Sequence, residues 1–235
     1  MDNVKKIYIT GCGKSGTTLL FWLFRAFDID YTPYTEILIK DFIVFSKKSK
    51  NDVFVGKRGG KTILSFETIT HNEKERQLKI IKDNDIKIIN VIRDGRDVVL
   101  SNNNYVSPAT WISCMKQRRK RIGKFIRYEV RYEDLIANPD DIQLRIAHKF
   151  GLTIKHKFSE YPNFVSDSAF EVVKKKSLKN KAERPNYKEK VSSYTKRPLT
   201  DSSIGKDKKA YIKLCKDKQE ILEFEKELRL AGYIK

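Results

Sequence analysis

Two glycine-containing loops carry the residues best suited to chemistry. The first, Gly11-Cys12-Gly13-Lys14-Ser15-Gly16-Thr17-Thr18, joins the β-branched and aromatic run Val4 to Thr10 to the apolar run TTLLFWLFRAF. A glycine-rich turn between a strand and a helix N-terminus leaves backbone N–H groups and the positive end of the helix dipole aimed at one spot, which makes an anion cradle. The second loop, Arg93-Asp94-Gly95-Arg96-Asp97, follows the run IKIINVI at Ile86 to Ile92, and Ser101 stands eight residues beyond Arg93. An arginine leaving a strand end offers an anion a charge-assisted fork, and a serine hydroxyl adds a donor. Asp94 and Asp97 read as first-turn acids that complement the dipole of the helix beginning there.

The first loop fails the nucleoside triphosphatase pattern GxxxxGK[ST] in both registers. With Gly11 and Gly16 as the paired glycines, Thr17 stands where the lysine is required. With Gly13-Lys14-Ser15 as the tail, Tyr8 stands where a glycine is required. The lysine lies instead inside the turn, ahead of Gly16-Thr17-Thr18.

These loops need a frame. Val4 to Thr10 and Val53 to Gly56 read as strands, the second followed by Lys57-Arg58-Gly59-Gly60. Asn72 to Asp83 reads as a charged helix, and Ile86 to Ile92 has the continuous apolar character of a central parallel strand. A helix around Pro108 to Phe125, a strand at Tyr128 to Tyr132 and a helix from Pro139 to about Phe150 follow. This alternation predicts an α/β fold of three layers, a doubly wound and mainly parallel sheet with helices on both faces. Ligands of such sheets sit beyond the carboxyl ends of the strands, where both loops fall. Residues 1–235 read as a single domain. Within it Lys174 to Arg197, ten basic residues against two acids, is periodless and reads as the body of a surface excursion or lid at about 174–207. An amphipathic helix at about 208–231 closes the chain.

KSGTT after a strand resembles the sulfotransferases that use 3′-phosphoadenosine 5′-phosphosulfate (PAPS). The resemblance implies that Gly13, Lys14, Ser15, Gly16, Thr17 and Thr18 hold the 5′-phosphosulfate, with Lys14 as the electrostatic catalyst beside the transferred sulfuryl group. Arg93 and Ser101 match the family's 3′-phosphate pair in residue type and spacing. Val130-Arg131-Tyr132-Glu133-Asp134-Leu135, then Asn138-Pro139 and Phe150-Gly151-Leu152, resemble its YEDL strand, NP turn and following helix. Trp111 sits where many relatives carry tryptophan, and core packing is its expected task. Ser202-Ser203-Ile204-Gly205-Lys206 resembles the basic segment that closes the nucleotide site, with Lys206 where arginine is frequent. The resemblance covers residues 4 to 152 and implies a P-loop NTPase-like sulfotransferase fold. It also implies in-line transfer from PAPS to a hydroxyl or amine, with 3′-phosphoadenosine 5′-phosphate (PAP) as product and no divalent ion required.

The base is less plainly marked. The small-molecule branch of that family has a histidine two residues beyond a lysine after the second strand, and Lys57-Arg58-Gly59 lacks it. Other branches use a glutamate downstream of the loop's basic residue, and Glu36 lies 22 residues past Lys14. Glu36 reads either as that catalytic base or as an N-terminal helix acid, and Glu67 and His71, which match no motif, are the other candidates for the base. Lys57 reads either as a further partner of the sulfuryl oxygens or as a surface residue.

Composition narrows the partners. The chain has 49 Lys and Arg against 30 Asp and Glu, a net charge of +19, so anionic partners are expected. Its 40% hydrophobic and 11% aromatic content excludes a disordered polycation, and 235 residues suit one domain with a sizeable core. Cys12, Cys114 and Cys215 are far apart, which points to neither a disulfide framework nor a structural zinc site. The longest apolar run, Leu19 to Phe24, is far short of the roughly 20 residues that span a bilayer. A short lead before the first strand leaves no room for a signal peptide, and a cytoplasmic setting is expected. Arg118 to Arg121 reads as a solvated helix face, with contact to an anionic acceptor as the other reading. The acceptor is expected to be a small molecule or glycan, a carbohydrate and an anionic compound among the options. No RNA-binding aromatic signature favours nucleic acid. Two alternatives stay open: a P-loop nucleotide kinase or NTPase, and a non-catalytic polyanion binder.

Overall fold

Strands β1 (Lys5–Gly11), β2 (Asp30–Tyr31), β3 (Val53–Gly59), β4 (Lys87–Ile92) and β5 (Ile126–Arg131) form one parallel sheet in the order β2-β3-β1-β4-β5. The computed structural model describes residues 4–32, 36–59, 71–101, 106–165, 199, 201, 204–205 and 209–235. Central β1 pairs with β3 from Lys5↔Val53 to Gly11↔Gly59 and with β4 from Ile7↔Lys87 to Gly11↔Val91. The chain therefore switches direction across the sheet between β1 and β4, and the crevice beyond that switch is where such sheets bind ligands.

Alternation along the strands builds two cores. Ile7, Ile9, Val53, Val55, Ile89, Val91 and Val130 face helices α1 (Thr17–Leu23), α6 (Tyr132–Ala137) and α7 (Pro139–Phe150), packing on Leu20, Leu135 and Ile146. Tyr8, Phe54, Ile88 and Ile92 face the other way. They meet α2 (Ile39–Ser46), α3 (His71–Asp83), α4 (Gly95–Val99), α5 (Pro108–Gln117) and the C-terminal helix α8 (Lys218–Leu230) through Phe42, Ile81, Val98, Trp111 and Phe224. Three layers result, as the strand and helix alternation predicts. Trp111 is fully buried, its ring centroid 4.8 Å from that of Phe224. A Cβ on Gly95 would lie 2.7 Å from the same indole, so glycine at the start of α4 lets that helix settle on Trp111.

Several boundaries differ from the sequence expectation. Strand β3 runs on through Lys57 and Arg58, because Lys57 is buried by partners distant in sequence. Tyr132 opens α6 rather than ending β5. The helix expected from Pro108 to Phe125 gives way at Arg118 to a π-helical turn, Arg118–Ile122. There Arg118 pairs with Glu129 on β5 and Arg119 with buried Glu227 on α8, so half of the expected solvated basic face is engaged in ion pairs to neighbouring elements. Helix α8 begins only at Lys218, where Asp217 caps it by accepting from the Glu220 N–H at 2.8 Å. The basic stretch 174–197 lies outside the described residues. Among those described, no helix is long and apolar enough to cross a membrane.

Candidate active site

The turn after β1 is built on backbone strain and close approach. The Ser15 N–H and hydroxyl both donate to the Cys12 carbonyl, at 3.2 and 2.7 Å. That closure throws Lys14 to φ 66° and Gly16 to φ 96°, both left-handed. Only glycine takes this region freely, and a residue such as lysine held there costs about 1–2 kcal/mol. Gly11 is required for a different reason: a Cβ there would lie 2.5 Å from the Val91 carbonyl of β4. Gly13, Ser15 and Thr17 are buried, and Thr18 is exposed. Among the described residues no side chain caps α1. Cys12 is buried, and its hydrogen bond to Cys114 together with that burial pushes the thiol well above its usual range.

Strand β3 brings Lys57 to this turn. It shares strand parity with Val53 and Val55, so it points toward α1, and its side chain is only 1% exposed. Its Nζ donates to Thr18 Oγ1 at 2.7 Å and to Glu36 Oε1. Burial pushes the ammonium below the usual lysine range, and Glu36 pulls it back. Glu36 is set in place by backbone bonds beside it: the Ile37 N–H donates to the Lys57 carbonyl at 3.0 Å, and the Tyr8 hydroxyl donates to the Ile37 carbonyl at 2.6 Å. The Glu36 side chain remains 48% exposed. A buried cation and a half-exposed carboxylate thus sit beside the first turn of α1.

The second loop leans on the first from the other side. Arg93 is 5% exposed, and its Nη1 donates to the Lys14 carbonyl at 3.1 Å. The Tyr132 ring lies under the guanidinium, 4.4 Å from Cζ to centroid, and also abuts Gly16, where a Cβ would lie 2.3 Å from Cδ2. Asp94 caps α4 by accepting from the Arg96 N–H at 2.9 Å, and the Arg96 side chain closes on the same carboxylate. The Asp94 N–H donates to Glu133 Oε1 at 2.8 Å. Asp97 accepts from the Gly205 N–H at 3.1 Å, which brings the segment before Lys206 to this helix.

Of the residues singled out in the sequence, Gly13 to Thr18, Arg93, Lys57 and Glu36 meet at the carboxyl edge of β1, β3 and β4. Ser101 sits just past α4 rather than two turns into a helix, because α4 ends at Val99; its hydroxyl donates to the Val98 carbonyl at 2.7 Å. Lys206, Glu67 and the His71 side chain lie outside the described residues. Sequence reasoning missed Tyr132 and Glu133 as supports of the two loops. The available signal was their place, since Ile92 pairs with Arg131 and the residues just beyond each strand end must meet.

No family profile matches the chain, and no curated protein matches it in sequence. Among solved structures, the sulfotransferase domain of the Synechococcus PCC 7002 olefin synthase matches over 98% of this chain and 95% of its own, with TM-score 0.60 and 13% identity. Mouse sulfotransferase SULT7A1 complexed with PAP matches over 96% and 84%, with TM-score 0.47 and 13% identity. Sulfotransferase STF1 from Mycobacterium tuberculosis H37Rv matches over 72% and 70%, with TM-score 0.40 and 14% identity. By its full-length likeness to the olefin synthase domain, the chain has the sulfotransferase fold.

Proposed function

We propose that this protein is a PAPS-dependent sulfotransferase acting in the cytoplasm on a hydroxyl or amine of a small-molecule or glycan acceptor. One observation carries the reading. Cations from the two strands that flank β1 close on the turn between β1 and α1, Lys57 of β3 at Thr18 and Arg93 just past β4 at Lys14. A turn rich in glycine, uncapped by side chains and flanked by buried cations suits a ligand bearing anionic groups at both ends.

PAPS supplies a sulfuryl group carried on a phosphate leaving group. The chain's part is positioning and charge. Backbone N–H groups from Gly13 to Thr18, apart from that of Ser15, which closes the turn on Cys12, bind the 5′ oxygens, and the Lys14 and Lys57 ammonium groups offset the charge that builds on the leaving phosphate. Arg93 and Ser101 hold the 3′-phosphate, with Lys206 closing over it. Glu36, beside the turn and open to solvent on one side, accepts the acceptor's proton. The net charge of +19 draws anionic ligands toward the crevice and favours an anionic acceptor over a cationic one. The reading requires no divalent ion.

Labelled PAPS incubated with a panel of sugars, phenols and lipids tests it. Label should pass to at least one class, and Lys14→Ala should abolish the transfer. Magnesium-dependent ATP hydrolysis without PAPS binding would move the protein to the kinases and NTPases. Steeply salt-dependent binding with no preference for the 3′-phosphate would make it a polyanion binder.

A further inference from the structure

We propose that Tyr132 is a positioning residue that locks the two phosphate loops into one frame, so that an anion taken by Arg93 is felt at Lys14. The inference deepens the function proposed above and rests on it for the identity of the anion.

The topology makes the device feasible. β4 lies between β1 and β5, so the second loop stands between the first loop and the start of α6. The pairing Ile92↔Arg131 makes Arg93 and Tyr132 the first residues past adjacent strand ends. From there the Tyr132 ring reaches past its own neighbour to the first loop, where it leaves no room for a Cβ on Gly16. The guanidinium of Arg93 lies on the ring, and its Nη1 reaches the Lys14 carbonyl. The contacts close a circuit, Gly16 to Tyr132 to Arg93 to Lys14, and only Ser15 separates its ends in the chain.

The circuit holds both left-handed residues of the turn, Lys14 through its carbonyl and Gly16 through contact with the ring. Since Arg93 is buried, its attraction to the ring is of the desolvated, stronger kind. Glu133 fixes the same seat: it accepts from the Asp94 N–H at 2.8 Å and from the Tyr233 hydroxyl at 3.3 Å. A shift of Arg93 toward an anion therefore pulls on the carbonyl of the catalytic lysine.

Two variants separate the ring's role from general stability. Tyr132→Phe keeps the π face, and Tyr132→Met keeps apolar volume without it. Amide hydrogen exchange of the free protein is followed at Ser15 and Leu20, which donate to Cys12 and Gly16, and at Asp94, which donates to Glu133. Tyr132→Met should quicken exchange in both loops about tenfold or more, while Tyr132→Phe matches wild type. In calorimetric titrations Tyr132→Met should weaken PAP, held by both loops, by about tenfold and AMP, which lacks the 3′-phosphate and leans on the first loop alone, by clearly less. Faster exchange confined to α6, or equal losses for PAP and AMP, would overturn the proposal. If wild type binds neither nucleotide the proposed function falls, whereas the exchange result still decides the positioning claim. Should Tyr132→Met fail to fold, Tyr132→Leu, which likewise lacks a π face, replaces it with the same expected outcomes, and wild-type exchange in both loops of that variant would overturn the proposal equally.

Discussion

The backbone strain at Lys14 and the catalytic role proposed for it can be separated by two substitutions. Its φ of 66° is left-handed, which costs a residue with a Cβ roughly 1–2 kcal/mol and costs glycine nothing. Lys14→Gly removes that strain. Against the gain stands the greater freedom of glycine in the unfolded chain, worth about 0.4–1 kcal/mol. The reference is Lys14→Ala, which removes the same ammonium and keeps the left-handed Cβ. The Arg93 bond ends on the Lys14 backbone carbonyl and survives both changes. Glycine should therefore be the more stable of the two by about 0.5–1 kcal/mol. For 235 residues the unfolding entropy is about 0.5 kcal/mol/K, so the glycine variant should melt about 1–2 °C above the alanine variant. Scanning calorimetry of both variants in one buffer, beside sulfuryl-transfer assays, checks the argument. Both should be inactive and only glycine should gain stability. A glycine variant that melts below the alanine variant would show that the turn stores no such strain, and wild-type turnover in either would remove Lys14 from catalysis.

Two further outcomes follow from the ion pairs. Because burial holds Lys57 below the usual lysine range, the unfolded chain keeps that proton to higher pH than the folded protein does. Wild-type stability should then rise relative to Lys57→Met as pH climbs through the depressed pKa toward about 10.4; denaturant unfolding at several pH values measures the difference, and parallel curves would contradict it. Arg119→Ala leaves the Glu227 side chain, 2% exposed, without its guanidinium and should cost about 2–3 kcal/mol in denaturant unfolding, allowing for the partial exposure of Arg119. Adding Glu227→Gln should recover much of that loss, and no recovery would mean that Arg119 acts through packing alone.

Much of the frame is legible in the sequence because it rests on local pattern. IKIINVI reads as a strand buried on both faces, and alternate residues of β1 and β3 do divide between the two cores. Asn138-Pro139 and Gly151 bracket α7, with Pro139 at its first position and Gly151 left-handed at its end. The two-residue strand β2 and the short α2 escape notice because neither carries enough periodicity to stand out. Lys57 defeats local reading for a sharper reason. A lysine followed by Arg58 and glycine looks like a polar turn, and only Thr18 and Glu36, far away in the chain, allow it to be buried in a strand. Tyr132 is similar, its contacts to Gly16 and Arg93 being set by strand order rather than by neighbours. Motif spacing locates the two loops, and packing alone discloses what joins them.

The central claim is that the two loops read the two ends of one nucleotide. Calorimetric titration of the wild-type protein with PAP and with AMP, at one salt concentration, tests it most directly. A charge-assisted contact to the 3′-phosphate is worth about 1.5–3 kcal/mol, so PAP should bind at micromolar concentrations and AMP roughly 10–100-fold more weakly. Equal affinities, or no measurable heat with PAP, would contradict the account.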